Sequence, residues 1–218
     1  MFSFIDFKNK IINDKENFDI YNSKDLVKRQ ICWTRLFKVF ELSKKYKRSN
    51  SIVLDYGSQN GFLLVALCSY FKHVIGIDID AYVMSIAKKK LKEEGFSNYK
   101  LYRIKPSNKS LLFLKDKSID LITCTDVLEH VKDLSVVVCL FKRVLKENGY
   151  LIVTLPTENF LYNFGNFISY FLGFTKKPHE DGHINNSNYI KNTLKSEFKV
   201  VEDKNILFFF KLMVFKNH

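Results

Sequence analysis

The stretch that most constrains this chain is Val53-Leu54-Asp55-Tyr56-Gly57-Ser58-Gln59-Asn60-Gly61-Phe62. An apolar run ends in an acidic residue, a loop of small residues with two glycines follows, and an apolar helical pattern then begins. Strand, acidic turn, small-residue loop and helix is how an α/β protein builds a cradle for a nucleotide. Glycines let the backbone come close to a ligand, and the helix N-terminus offers unpaired N–H groups. Asp55 narrows the choice, because a carboxylate aimed into that loop repels a pyrophosphate and suits a cationic ligand. The loop also lacks the G-x-G-x-x-G spacing of dinucleotide-binding dehydrogenases.

The residues around the cradle alternate in the same sense. Strand 51–55 leads to helix 61–71, strand 73–78 to helix 81–94, and strand 99–104 to a loop or short helix at 105–110. Strand 119–124 leads to helix 133–146, and Asn148-Gly149 turns into strand 150–155, closed by Pro156. Repeated β-α-β units imply a parallel sheet with helices on both faces and right-handed crossovers. A helix over 187–196 and strands at 197–203 and 206–215 complete the pattern. With only Lys204-Asn205 between them, the last two strands form a hairpin, so the final one runs antiparallel. Ahead of the alternation, residues 1–22 carry no clear period, and Ser23 caps a helix from Lys24 to about Tyr46.

The expected organisation is therefore one domain over 1–218. It comprises an N-terminal arm and helix (1–48), a cofactor-binding core (49–156), a lid-like insertion (157–185), and a last helix and hairpin (186–218). The expected fold class is a Rossmann-like three-layer α/β sandwich with a seven-stranded, mostly parallel sheet. A chain of 218 residues, 46% hydrophobic, is long enough to bury a full-sized core. The net charge of +12 comes mostly from lysines spread over every segment, which is the pattern of a solvated surface. It permits nucleic acid, an anionic membrane surface or an acidic substrate as partner without choosing among them. Four cysteines, with no C-x-x-C spacing, fall mostly in apolar patterns and read as buried thiols of a reducing compartment. Charge breaks the apolar character of Met1-Phe2-Ser3-Phe4-Ile5-Asp6-Phe7-Lys8 too early for a signal peptide, and no apolar run reaches spanning length. The expected location is the cytoplasm.

Four segments, in order and at the expected spacing, resemble those of class I S-adenosylmethionine-dependent methyltransferases. Leu54-Asp55-Tyr56-Gly57-Ser58-Gln59-Asn60-Gly61 is similar to the family's glycine-rich first motif, and Gly76-Ile77-Asp78-Ile79-Asp80 to the end of its second strand. The run from Asp120 to Val131, with Leu128-Glu129-His130-Val131, is similar to the fourth-strand signature, and Leu145 to Pro156 to the junction into the fifth strand. The resemblance covers roughly residues 50–215. It implies S-adenosylmethionine as cofactor, with Asp55, Gly57, Ser58 and Gly61 forming the loop around its methionine end. It also implies that Asp78 accepts the ribose hydroxyls and that Ile79, Asn108 and Thr125 complete the site. Two departures stand out: Gln59 replaces a further glycine of many relatives, and Ser107 or Asn108 stands where relatives often place an acid against the adenine amino group.

Methyl transfer from a sulfonium needs alignment and, for a protonated acceptor, a base. His130, after the fourth strand, and His183, in Pro178-His179-Glu180-Asp181-Gly182-His183, are the candidates. The same region allows a divalent metal on Asp126, Glu129, His130 and His183, resembling small-RNA 2′-O-methyltransferases and ubiquinone-type O-methyltransferases, or a purely structural role for Glu129 and His130. In the insertion, Phe160, Leu161, Phe164, Phe167, Ile168, Phe171 and Leu172 share one helical face. That face suits packing over the sheet, a dimer contact, a lid over an apolar acceptor or peripheral contact with a membrane. The function these features imply is methyl transfer to an oxygen or nitrogen of a small-molecule or lipid-linked acceptor. The alternatives are an RNA methyltransferase and a non-catalytic protein that binds S-adenosylmethionine or a partner.

Overall fold

A computed structural model of the chain describes residues 3–13, 21, 26–48, 50–105, 111–157, 184–207 and 209–218. The insertion, apart from 157 and 184–185, lies outside these residues, as do Ser107, Asn108 and His183. Two helices, α1 (Phe4–Asn13) and α2 (Leu26–Lys45), precede the sheet. Then come β1 (Ile52–Tyr56), α3 (Phe62–Cys68), β2 (His73–Asp78), α4 (Ala81–Glu93), β3 (Tyr99–Arg103) and β4 (Ile119–Thr125). A single turn of 3-10 helix at Leu128–His130 leads to α5 (Leu134–Val144), β5 (Leu145–Pro156), α6 (Ser187–Glu197), β6 (Lys199–Ile206) and β7 (Phe210–Lys216).

The seven strands form one sheet in the order β3-β2-β1-β4-β5-β7-β6. Pairings among β1 to β5 are parallel, and β7 lies antiparallel between β5 and β6. The expected fold class is the observed one. Strand side chains alternate between the faces, and the core divides accordingly. Val53, Leu121, Ile152 and Val214 pack with α2, α3 and α4, while Leu54, Ile122, Leu151, Val153, Met213 and Phe215 pack with α5 and α6. This is why β1 and β4 read as unbroken apolar runs: both faces are covered.

A helix, α1, lies where the sequence carries no clear period, and the helices after β1 and β4 end at Cys68 and Val144, earlier than the sequence pattern; the fifth strand and the last hairpin also differ from it. The fifth strand begins at Leu145, because Ile119 pairs with Leu145 before a register shift restores the ladder at Leu121–Tyr150. The hairpin turn lies beyond Lys204-Asn205, which are themselves paired with Leu212 and Lys211. Burial of Leu212, Met213, Val214 and Phe215 against β5 sets the register of β7, and that tertiary demand overrides the polar Lys-Asn turn signal. Three of the cysteines, Cys32, Cys68 and Cys124, are buried and Cys139 is exposed. Among the described residues, no helix is long and apolar enough to cross a membrane.

Candidate active site

The sheet order reverses between β1 and β4, since β2 and β3 lie on one side and β5 on the other. Crevices at the carboxyl ends of strands at such a switch point are where open α/β sheets bind ligands. Asp55, Gly57, Ser58, Gly61, Asp78, Ile79 and Thr125 all lie on or just past the carboxyl ends of β1, β2 and β4.

Asp55 is buried in β1, beside Thr123 of β4, whose hydroxyl donates to Asp55 Oδ1 at 2.7 Å. Burial pushes the Asp55 carboxyl up to about 7; the Thr123 hydrogen bond opposes this and the nearby Asp78 charge adds to it. The loop that follows hangs on β2: the Gly57 and Ser58 N–H groups both donate to Ile77 O, at 2.8 and 3.0 Å. Gly57 has φ +80°, and a Cβ there would lie 2.3 Å from Val127 Cγ2. Gly61 has φ +78°, and its Cβ would meet Ala87 Cβ at 2.8 Å and Ala87 Cα at 3.0 Å. Gly61 thus lets α4 approach the loop from behind, a packing reason beside any ligand reason.

Asp78 closes the circuit. Its Oδ2 accepts from Gln59 N at 2.9 Å and its Oδ1 from Asp80 N at 3.0 Å. Each carboxylate oxygen keeps a further lone pair. Asp80 caps α4, accepting from Tyr82 N at 2.7 Å and Val83 N at 3.4 Å. Gln59 has φ +43°, the left-handed region that favours glycine, and its side chain is exposed. Lys90 of α4 braces the loop as well: its ammonium lies 3.3 Å from Asn60 O and 3.7 Å from the Phe62 ring centroid.

On the other side of the switch point, Thr125 is half-buried at the end of β4 and Asp126 follows with φ +51°. Asp126 Oδ1 accepts from Thr154 Oγ1 at 2.7 Å, and its Oδ2 pairs with Arg35 Nη1 of α2. Arg35 is 7% exposed; its Nη2 donates to the Tyr21 hydroxyl at 2.7 Å, and its guanidinium lies 4.7 Å from the Phe210 ring centroid. In the 3-10 turn, Glu129 is buried and His130 exposed. Ile184 N and Asn185 N donate to Glu129 O at 2.8 and 3.1 Å, and Asn185 Nδ2 donates to Leu128 O and Val131 O at 3.0 and 2.6 Å. The chain just past the insertion is thereby fastened to the turn that carries His130. Of the candidate metal set, Asp126 is held by a guanidinium and a hydroxyl. Among the described residues, no group of three or more His, Cys, Asp or Glu converges to hold a metal ion.

Thr123 and Arg35 were not singled out in the sequence, though each leaves a trace. Thr123 is a polar residue inside the apolar run of β4, and Arg35 a charge on the apolar face Cys32-Trp33-Thr34-Arg35-Leu36. Nothing in the sequence pattern marks Tyr21 as Arg35's partner.

This sheet order, with an antiparallel β7 and a glycine loop after β1, defines the class I S-adenosylmethionine-dependent methyltransferase fold. Residues 54–153 match the family described as methyltransferase domain. Residues 54–153 are thus similar to a methyltransferase domain, over a little less than half of the chain. The chain is similar to a ubiquinone biosynthesis O-methyltransferase of Pasteurella multocida, with 33% identity over 105 residues, 45% of this chain and 43% of that enzyme. It is also similar to an uncharacterized methyltransferase, YcgJ, of Bacillus subtilis, at 30% identity over 56% of this chain and 48% of that protein. The matches thus span less than half the length of these relatives. Among solved structures, the N-methyltransferase NodS of Bradyrhizobium japonicum, in complex with S-adenosyl-L-homocysteine, superposes with a TM-score of 0.67 at 15% identity, covering 98% of each chain.

Proposed function

We propose that this protein transfers the methyl group of S-adenosylmethionine to an oxygen or nitrogen of a small-molecule or lipid-linked acceptor. The observation that carries this reading is the circuit of Asp55, the 57–61 loop and Asp78 at the switch point. It offers the Asp55 carboxyl group for the methionine end and spare Asp78 lone pairs for a ribose. Ile79, exposed just past Asp78, offers apolar surface for the adenine. The O-methyltransferase relative favours an oxygen acceptor.

In this reading the cofactor supplies an activated methyl on its sulfonium. The chain's own residues align it and take a proton. Asp55, the 57–61 loop and Asp78 would hold the cofactor, which would supply its methyl group to an acceptor oxygen or nitrogen over the ends of β4 and β5 and be left as S-adenosylhomocysteine. His130 is the base for an acceptor hydroxyl or ammonium, with His183 as the second candidate from the neighbouring segment.

The test has two stages. Calorimetry with S-adenosylhomocysteine should give saturable binding of one equivalent. The full chain, given methyl-labelled S-adenosylmethionine, should then label an organic extract of phenols and amines, with and without lipid tails. Label that moves only into added RNA would replace this reading with the nucleic-acid alternative. Binding without transfer to any acceptor would favour the non-catalytic one.

A further inference from the structure

With the cofactor on the β1–β2 side of the switch point, the rest of the carboxyl edge lies over β4, β5 and β7. Arg35 lies there. Its guanidinium pairs with Asp126, which follows β4, and faces Phe210 at the start of β7, the residue paired with Pro156 at the end of β5. Arg35 comes from α2, outside the matched 54–153 segment, as does Tyr21.

A buried guanidinium is expected to spend all its donors, because an unmade hydrogen bond in the interior is costly. Nη1 pairs with Asp126, and Nη2 donates to Tyr21. Nε is buried and, among the described residues, has no hydrogen-bond partner. The nearest carboxylate, Asp126, already takes a guanidinium and a hydroxyl, so the group left to recognise a ligand here is a donor carrying positive charge. The Phe210 ring beside it gives that donor an apolar flank.

We propose that Arg35 Nε is the recognition point of an acceptor subsite that takes an anionic oxygen, carboxylate or phenolate, on an apolar or aromatic body. This rests on the methyl-transfer reading and narrows its acceptor. Arg is suited to the role because it stays charged and offers oriented donors to oxyanions.

The test uses Trp33, the chain's one tryptophan, whose Nε1 donates to Tyr21 O at 3.0 Å and whose emission therefore reports on this subsite. The full chain is saturated with S-adenosylhomocysteine, verified by calorimetry in each sample, and titrated with benzoate or with its neutral isostere benzamide at constant ionic strength. Benzoate should change the emission saturably, with an affinity about ten- to a hundred-fold above that of benzamide, and Arg35→Met should abolish the preference. Arg35→Met leaves Asp126 without its cation. If circular dichroism shows that it does not fold, Arg35→Met with Asp126→Asn is read in its place, with the same expectation. Equal affinities for the two probes, a preference that survives the substitution, or no saturable benzoate binding to the loaded protein would each overturn the subsite. A chain that does not bind S-adenosylhomocysteine at all would bring down the methyl-transfer reading with it.

Discussion

At the scale of single residues, Asp55 carries a pH dependence whose sign follows from its burial. Its carboxyl is raised from 3.8 in the unfolded chain to about 7 in the fold. The folded state therefore holds a proton that the unfolded chain has released, and stability is fully present below the unfolded value, falls as pH rises through the interval, and levels off above about 7. The span amounts to a few kcal/mol, on the order of 4. A cationic cofactor end beside Asp55 selects the ionised form, so cofactor affinity should move the opposite way, rising with pH towards about 7 by up to a factor of about ten per unit. Calorimetry across this range should show that rise in the wild type and a flat, weaker profile in Asp55→Asn; a wild-type profile that is itself flat would separate Asp55 from the cofactor. Asp78→Ala should weaken S-adenosylhomocysteine at least about ten-fold, by removing both the proposed ribose acceptor and the hydrogen bond that pins Gln59 N. Affinity equal to wild type would end the ribose assignment. Gln59 should matter less: its side chain is exposed, so Gln59→Gly relieves about 1 kcal/mol of left-handed strain and leaves cofactor affinity within about threefold.

At the scale of elements, the glycine loop is held from behind by α4 as much as it is shaped by its own sequence. Gly61→Ala would force a left-handed alanine whose Cβ lies 2.8 Å from Ala87 Cβ. It should cost about 3 kcal/mol, read as a lowered urea midpoint, since strain and overpacking add. Ala87→Gly in the same chain should recover part of that loss, because it removes the colliding methyl. Recovery of nothing would place the clash elsewhere. The loop, the strand ends at Asp55 and Asp78, and the turn carrying His130 were legible because each is a local run of residue types with a periodic flank. What α4 does to the loop was not legible. Ala87 and Lys90 look like ordinary helix positions, and their meeting with Gly61, Asn60 and Phe62 is set by how two helices dock on the sheet. The hairpin turn was misplaced for the same reason, since burial of β7 against β5 decided its register.

At the scale of the whole molecule, the N-terminal helices and the sheet share one core. The alternation of strands and helices shows where the sheet lies; before it, the sequence shows apolar positions only in the helix from Lys24, and no clear period over residues 1–22. In the fold one face of α2 is covered: Cys32, Trp33, Leu36, Val39 and Phe40 of α2 are buried in the cluster that holds α3, α4 and the inward residues Val53, Leu121 and Ile152. Phe4 of α1 sits edge-on to Trp33 and stacks at 5.8 Å on Phe40, and the Trp33 and Phe62 rings lie 5.5 Å apart. The Arg35–Asp126 pair ties α2 to the carboxyl end of β4 as well. Helices bound this way cannot leave without exposing the α3 face of the sheet, so we infer one domain across the chain. Because Trp33 lies in α2 while the strands dominate the sheet, two probes read the two parts separately. Urea unfolding followed by Trp33 emission and by far-ultraviolet circular dichroism should give superimposable transitions with one midpoint. Saturating S-adenosylhomocysteine should raise both midpoints together, since it binds only the folded state. A fluorescence transition that comes at lower urea, and does not move with the ligand, would make the N-terminal helices a separate unit resting on a domain that folds without them.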